Sequence, residues 1–78
     1  MMVSVSETKR RQLLAAAVAR QPGEWTTRRV LRLYRSAGWP APLSRTARHD
    51  LARLHRDGLL TLHETPGRRY YTRKDGVR

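Results

Sequence analysis

The sequence predicts one small α+β domain, mainly helical, in which three helices precede a C-terminal β-hairpin. Three segments repeat apolar residues at the period of a helix, and glycine or proline follows each of them. After the third, two short runs rich in apolar residues flank a Thr-Pro-Gly-Arg turn, which is typical of a hairpin. With 78 residues and no cysteine, the chain is near the lower size limit for folding without disulfides or metal. We expect a single domain over 1–78, with flexible ends at 1–4 and 74–78.

The first helix is expected over about 5–20. Ser4 and Glu7 have the S-x-x-E spacing of a capping box, and Gln21-Pro22-Gly23 ends the helix. Its core positions are Leu13, Leu14 and Ala17, with Ala16 and Val18 widening the apolar arc. We expect Trp25 to lie in a short extended piece and to pack as an anchor.

The second helix is expected over about 27–37, with Thr26 as N-cap and Gly38 after its end. The apolar side is formed by Val30, Leu33, Tyr34 and Ala37. The opposite side carries Arg28, Arg32 and Arg35. The connection Trp39-Pro40-Ala41-Pro42-Leu43 cannot continue a helix.

The third helix is expected over about 45–57, capped by Ser44 and ended by Gly58. Its buried stripe consists of Ala47, Leu51 and Leu54. Its outer side consists of Arg45, His49, Ala52 and Arg56, flanked by Thr46, Arg48 and Arg53. Strands are expected at about 59–64 and 69–73. Pairing Glu64 with Arg69 would turn Leu60, Leu62 and Tyr71 inward.

The net charge of +11 predicts attraction to polyanions: DNA, RNA or an anionic membrane. Arginine supplies nearly all of it, since Lys9 and Lys74 are the only lysines, and the guanidinium fork suits phosphates and guanine edges. A GC-rich genome would explain the preference for arginine over lysine but not the excess of charge. A solvated, salt-bridged third helix is the alternative, with Arg53 pairing Asp50 or Asp57. Two acids cannot neutralise that many arginines.

The order of helices and hairpin is that of a winged helix-turn-helix, and the run L-x-x-L-x-x-D-G-L-L, continued by G-R-R-Y-Y, carries a closer resemblance. In this chain it consists of Leu51, Leu54, Asp57, Gly58, Leu59 and Leu60, then Gly67, Arg68, Arg69, Tyr70 and Tyr71. It resembles the recognition helix and wing of bacterial regulators of the MarR, ArsR and GntR kind, over about 6–73. The proline-rich connection is longer than usual in these families, and no second domain for ligand sensing or dimerisation is evident.

The resemblance implies a small transcriptional regulator that binds double-stranded DNA, with helix 45–57 in the major groove and a basic wing (65–69) on the adjacent backbone or minor groove. The expected base contacts are Arg45, Thr46, Arg48, His49 and Arg53. The expected backbone contacts are Thr27, Arg28, Ser44 and Arg56. Arg68 and Arg69 are expected at the wing tip. A phage or plasmid accessory factor would use the same residues.

Other functions fit the sequence less well. An exposed Trp39 and an uncharged third helix would favour a protein-interaction adaptor. RNA or ribosome binding is compatible with the charge alone. The sequence shows no clustered carboxylates, no activated nucleophile and no glycine-rich phosphate loop, so we do not expect an enzyme. His49, His55 and His63 lack metal-ligand spacing, and no cofactor or small-molecule ligand is evident. The apolar faces of the basic helices are needed for the core, so none is free to insert into a membrane. We expect a cytoplasmic, nucleoid-associated protein, with the first helix (5–20) as a possible homodimer contact.

Overall fold

The computed structural model describes residues 5–39 and 42–74, with side chains described from residue 7 onward. Its elements are α1 (Val5–Arg20), α2 (Thr27–Ser36), α3 (Ser44–Arg56), β1 (Leu60–Thr65) and β2 (Arg68–Arg73). Three helices followed by an antiparallel hairpin confirm the predicted fold class. Ser4 of the predicted capping box and the end segments 1–4 and 75–78 lie outside the described residues. Lys74, the residue after β2, is still hydrogen-bonded to the hairpin: its N–H donates to the Leu59 carbonyl at 3.1 Å.

The core lies where the three helices meet the inner face of the hairpin. Its buried apolar side chains are Leu14, Ala17, Val18, Trp25, Val30, Tyr34, Ala47, Leu51, Leu54, Leu60 and Tyr71. Leu13, Leu33 and Leu62 are only partly buried. Ala16 and Ala37, also expected on the core side, are exposed. Ala37 follows the last turn of α2 as its C-cap, so the helical period no longer directs its side chain inward.

The helix ends lie within one residue of those predicted, and the cap differs only at the start of α3. Thr26 accepts a hydrogen bond from the Arg29 N–H at 3.2 Å, as an N-cap should. The prediction that Ser44 caps α3 is wrong, because Ser44 is already the first helical residue. The N-cap is Leu43, which has an extended backbone (φ −97°, ψ 145°) and no side-chain acceptor. Its carbonyl accepts the first helical hydrogen bond, from the Ala47 N–H at 3.1 Å.

The hairpin has the predicted register, with Glu64 opposite Arg69 and Leu62 opposite Tyr71. Trp25 extends this sheet by one residue. Its N–H donates to the Tyr71 carbonyl at 2.7 Å, and the Tyr71 N–H donates to the Trp25 carbonyl at 2.9 Å. The loop between α1 and α2 is therefore fastened to β2 through the backbone, which confirms Trp25 as an extended anchor.

A buried carboxylate joins the three helices. Asp50 of α3 is fully buried and accepts hydrogen bonds from Arg10 of α1 (Nε at 2.6 Å and Nη2 at 3.2 Å) and from the Tyr34 hydroxyl of α2 (2.7 Å). The Asp50 hydrogen bond raises the pKa of Arg10. Burial, and then the hydrogen bond to Asp50, raises the pKa of Tyr34 well above its usual range. Asp50 is therefore unavailable to Arg53. The Arg53–Asp50 pair was one of the two that would have made α3 a salt-bridged surface helix, and it does not form.

Candidate nucleic-acid interface

An open groove of about 530 Å³ separates the outer face of α3 from the start of α2 and from β2. Its floor is apolar and its rim is basic or hydroxylated. The residues lining it are Trp25, Thr26, Thr27, Arg45, Arg48, His49, Leu51, Ala52, Arg69 and Tyr71. The groove thus brings side chains from three separate segments of the chain to one surface.

Five of the residues expected to contact nucleic acid lie around this groove. Arg45, Arg48 and His49 reach it from consecutive turns of α3, Thr27 from the first residue of α2, and Arg69 from β2. All but the half-buried Thr27 are exposed. Their convergence on one rim follows from the packing of α3 against α2 and from the Trp25–Tyr71 pairing, which holds β2 beside the start of α2.

The other predicted contact residues lie outside the groove. Thr46 is half-buried on the far flank of α3, and Arg53 places Nε 3.4 Å from Asp57 Oδ1. The remaining four are exposed: Arg28, Ser44, Arg56 and Arg68. Arg53 therefore forms the second of the two predicted surface pairs. Arg45, Arg48 and Arg56 remain as the arginines of α3 without an ion-pair partner among the described residues, and the first two of them line the groove.

The five acidic residues within the described ranges are all engaged by arginine. The pairs are Glu7–Arg11, Glu24–Arg68, Asp50–Arg10, Asp57–Arg53 and Glu64–Arg69. In contrast, Arg45 and Arg48 have no hydrogen-bond or ion-pair partner within the described part of the chain. The positive potential of the groove therefore rests mainly on α3, since no carboxylate there offsets it.

The two wing arginines already hold carboxylates. Arg68 donates from Nη2 to Glu24 Oε1 and lies over the Tyr70 ring at 4.6 Å, and the bond to Glu24 raises the pKa of Arg68. Arg69 donates from Nε to Glu64 Oε2 at 2.9 Å. All four charged side chains are about half exposed. Because such exposed pairs contribute little free energy, a phosphate can replace either carboxylate. The Glu24 contact has no local sequence signal, since its partner lies 44 positions away.

The aromatic rings and the remaining histidines pack within the structure. Trp25 and Tyr71 are buried, so neither offers a face on which a base could stack. The ring of His63 stacks on Tyr70 at 4.8 Å, and that of His55 lies 5.9 Å from Tyr71. Within residues 5–39 and 42–74, no three His, Cys, Asp or Glu side chains are grouped so that they could hold a metal ion. Trp39 is half-buried, with its ring 6.3 Å from that of Tyr34.

Comparisons with models of protein families, with curated proteins and with solved structures gave no match for this chain. None of the described helices is both long enough and apolar enough to cross a membrane. The function is therefore inferred from the groove and its charges.

Proposed function

We propose that this protein binds double-stranded DNA as a small transcriptional regulator, with α3 in the major groove and the hairpin on the adjacent backbone or minor groove. The observation that carries the proposal is the groove in which unpaired Arg45 and Arg48 of α3 face the start of α2 and Arg69 of β2. The order of three helices and a hairpin is consistent with a winged helix-turn-helix, and the proposal rests in addition on the resemblance of α3 and the hairpin to regulators of the MarR, ArsR and GntR kind.

The dimensions of α3 suit a major groove. Its 13 residues span about 20 Å, and a helix with side chains is about 10–12 Å across, against a groove about 12 Å wide. Arg45 and Arg48 project from the N-terminal half of α3, the part of a recognition helix that usually meets base edges. Exposed Ala52, one turn further on, is small enough to admit the backbone closely and to contact a thymine methyl group.

The surrounding groups supply backbone contacts. Thr27 lies at the start of α2, where unsatisfied backbone N–H groups and the helix dipole favour an anion. Arg69 and Arg68 lie on the hairpin beside it. With about six phosphates neutralised, log K should fall with log salt at a slope near −5. A monomer would bind one half-site, and a homodimer through α1 would bind an inverted repeat.

The adaptor alternative has one observation in its favour. Leu43, in the connection before α3, is a large apolar residue that is 59% exposed, as a protein-contact residue would be. However, Trp39 packs partly into the core and α3 presents arginines. DNA binding therefore remains the better-supported function.

Selection from randomised duplex DNA at about physiological salt, with structured RNA as competitor, tests the proposal. We expect an enriched motif, palindromic if the protein is a dimer. Arg45→Gln with Arg48→Gln should abolish enrichment. Lys9→Gln with Arg20→Gln, which removes the same charge from exposed positions of α1, should preserve the motif. Preference for RNA, or equal loss in both variants, would overturn the proposal.

A further inference from the structure

Helix α2 carries a second group of arginines outside the groove. Arg28, Arg32 and Arg35 are all exposed, and at 100° per residue they fall within an arc of about 60°. They form one stripe along the helix, hereafter the α2 stripe. The opposite side of α2 bears Val30 and Tyr34, which are completely buried.

The charges of the α2 stripe are not compensated. None of its three arginines has a hydrogen-bond or ion-pair partner among the residues that the structure describes. Neighbouring Arg29 differs: its guanidinium lies 3.8 Å from the Trp25 ring and donates to the carbonyls of Pro22 and Glu24. Arg29 therefore has a structural role. Like charges three and four positions apart on a helix repel one another, so the stripe favours an anion across it.

The α2 stripe faces away from α3. The buried side of α2 packs toward α3, where the Tyr34 hydroxyl donates to Asp50, so the width of a helix, about 10 Å, separates the stripe from that contact. Arg32 instead lines a separate hollow of about 290 Å³ with Leu33 and Ser36. A duplex seated against α3 would leave Arg32 and Arg35 unused.

We propose that the α2 stripe binds the phosphate backbone of a second DNA duplex, so that one protein molecule bridges two duplexes. Arg32 and Arg35 are the two members of the stripe that the first duplex leaves unused, whereas Arg28 is expected on the backbone of that duplex. At a rise of 1.5 Å per residue, Arg32 and Arg35 are about 4.5 Å apart along α2, between one and two steps of one DNA strand at about 3.4 Å each. Binding to the backbone needs only such a row of charges, without base readout.

A DNA backbone suits the α2 stripe better than an acidic protein does. Protein interfaces are centred on aromatic or aliphatic anchors, whereas the exposed side chains here are the three arginines and Ser36. Leu31 and Leu33, on either side of the stripe, are partly buried against the core. The stripe thus offers charge without an apolar centre.

A capture assay tests the proposal. A duplex carrying the selected motif is immobilised and saturated with protein, and retention of a labelled second duplex is measured. Wild-type protein should retain the second duplex. Arg32→Gln with Arg35→Gln should reduce retention about tenfold, because two phosphate contacts are lost. The same variant should bind the first duplex with a Kd within about threefold of wild type, because Gln preserves helix propensity and neither arginine lies at the first site. That retained affinity also shows that the variant is folded.

Lys9→Gln with Arg20→Gln is the matched control, since it has the same net charge and should retain the second duplex. Capture that survives in the α2 variant, or that falls equally in the control, would overturn the proposal in favour of bridging by a protein dimer or by total charge. Wild-type protein that binds the first duplex but never a second would overturn it while leaving the proposed function intact. Failure to bind even the first duplex would defeat both.

Discussion

Replacing Asp50 by alanine tests whether the buried carboxylate holds the three helices together. The substitution leaves the Arg10 guanidinium and the Tyr34 hydroxyl without their shared acceptor. Removing one member of a buried ion pair costs about 3–5 kcal/mol. Arg10 retains 16% of its side-chain exposure and can partly rehydrate, so we expect a loss near 3 kcal/mol. A domain of this length has about 4–12 kcal/mol of unfolding free energy, so the loss would be a large fraction of its stability.

Urea unfolding measures this loss, followed by the fluorescence of buried Trp25 and by far-ultraviolet circular dichroism. The Asp57–Arg53 pair is a matched control, since it also joins an aspartate to an arginine, but it lies at the C-terminal end of α3 with its side chains 47% and 44% exposed. Asp57→Ala should cost no more than about 0.5 kcal/mol. A double-mutant cycle with Arg10→Ala and Asp50→Ala isolates the pair itself from the burial of each side chain.

The contrast between the two pairs decides the outcome. If Asp50→Ala costs as little as Asp57→Ala, the buried pair does not hold α3 against α1 and α2. Asp50→Asn sharpens the test, because it keeps one acceptor oxygen of similar shape and removes the charge. The free energy of unfolding of Asp50→Asn should lie between that of the wild type and that of Asp50→Ala.

Three further predictions concern α2, the candidate interface and the end of α3. Burial and the hydrogen bond to Asp50 raise the pKa of Tyr34. The stabilisation that the protonated hydroxyl provides is therefore complete below about pH 10, and it is lost above that value by up to about 1.4 kcal/mol per pH unit. Tyr34→Phe should flatten this pH dependence of the unfolding free energy in urea titrations. In binding assays, Arg48→Ala should cost about 1–3 kcal/mol and change the preferred bases, whereas Arg68→Ala should weaken all sequences alike and reduce the salt slope by about one. A uniform loss from both would refute base readout by Arg48. Gly58→Ala should cost about 1–2 kcal/mol in thermal unfolding because Gly58 has φ +87°, and Gly58→Asn should cost less.

The helix boundaries and strand register were predictable because their causes are local. Thr26 caps α2 through its own hydroxyl, and Gly58 ends α3 in a conformation that glycine adopts at low cost. In the hairpin, the observed register turns Leu62 and Tyr71 to the same inner face, and a slip of one residue would turn them to opposite faces. The start of α3 was mispredicted by one residue because it depends on how the preceding connection delivers the chain to Leu43. The cap preference of Ser44 carries no information about that path.

The role of Asp50 was only half accessible from the sequence. At 100° per residue it lies about 40° to one side of the arc of Ala47, Leu51 and Leu54, so only a position at the edge of the buried stripe followed from the helical period. Its partner did not, because Arg10 lies 40 positions away. Local spacing instead favoured Arg53, three positions along the same helix. For a buried carboxylate, the need for a compensating cation is predictable, but the identity of that cation is a property of the packed fold.

The candidate interface depends on long-range pairing in the same way. The backbone hydrogen bonds between Trp25 and Tyr71 bring the end of the α1–α2 loop against β2, which places Glu24 within reach of Arg68 and Thr27 on the same rim as Arg69. The Trp25–Tyr71 hydrogen bonds therefore both fix the position of the wing relative to α2 and bring Glu24 to Arg68, which partly neutralises the wing. Arginines of α3 need no such partner, because the period of the helix alone directs Arg45 and Arg48 outward. The charge on α3 could thus be read from sequence, whereas the groove around it required the fold.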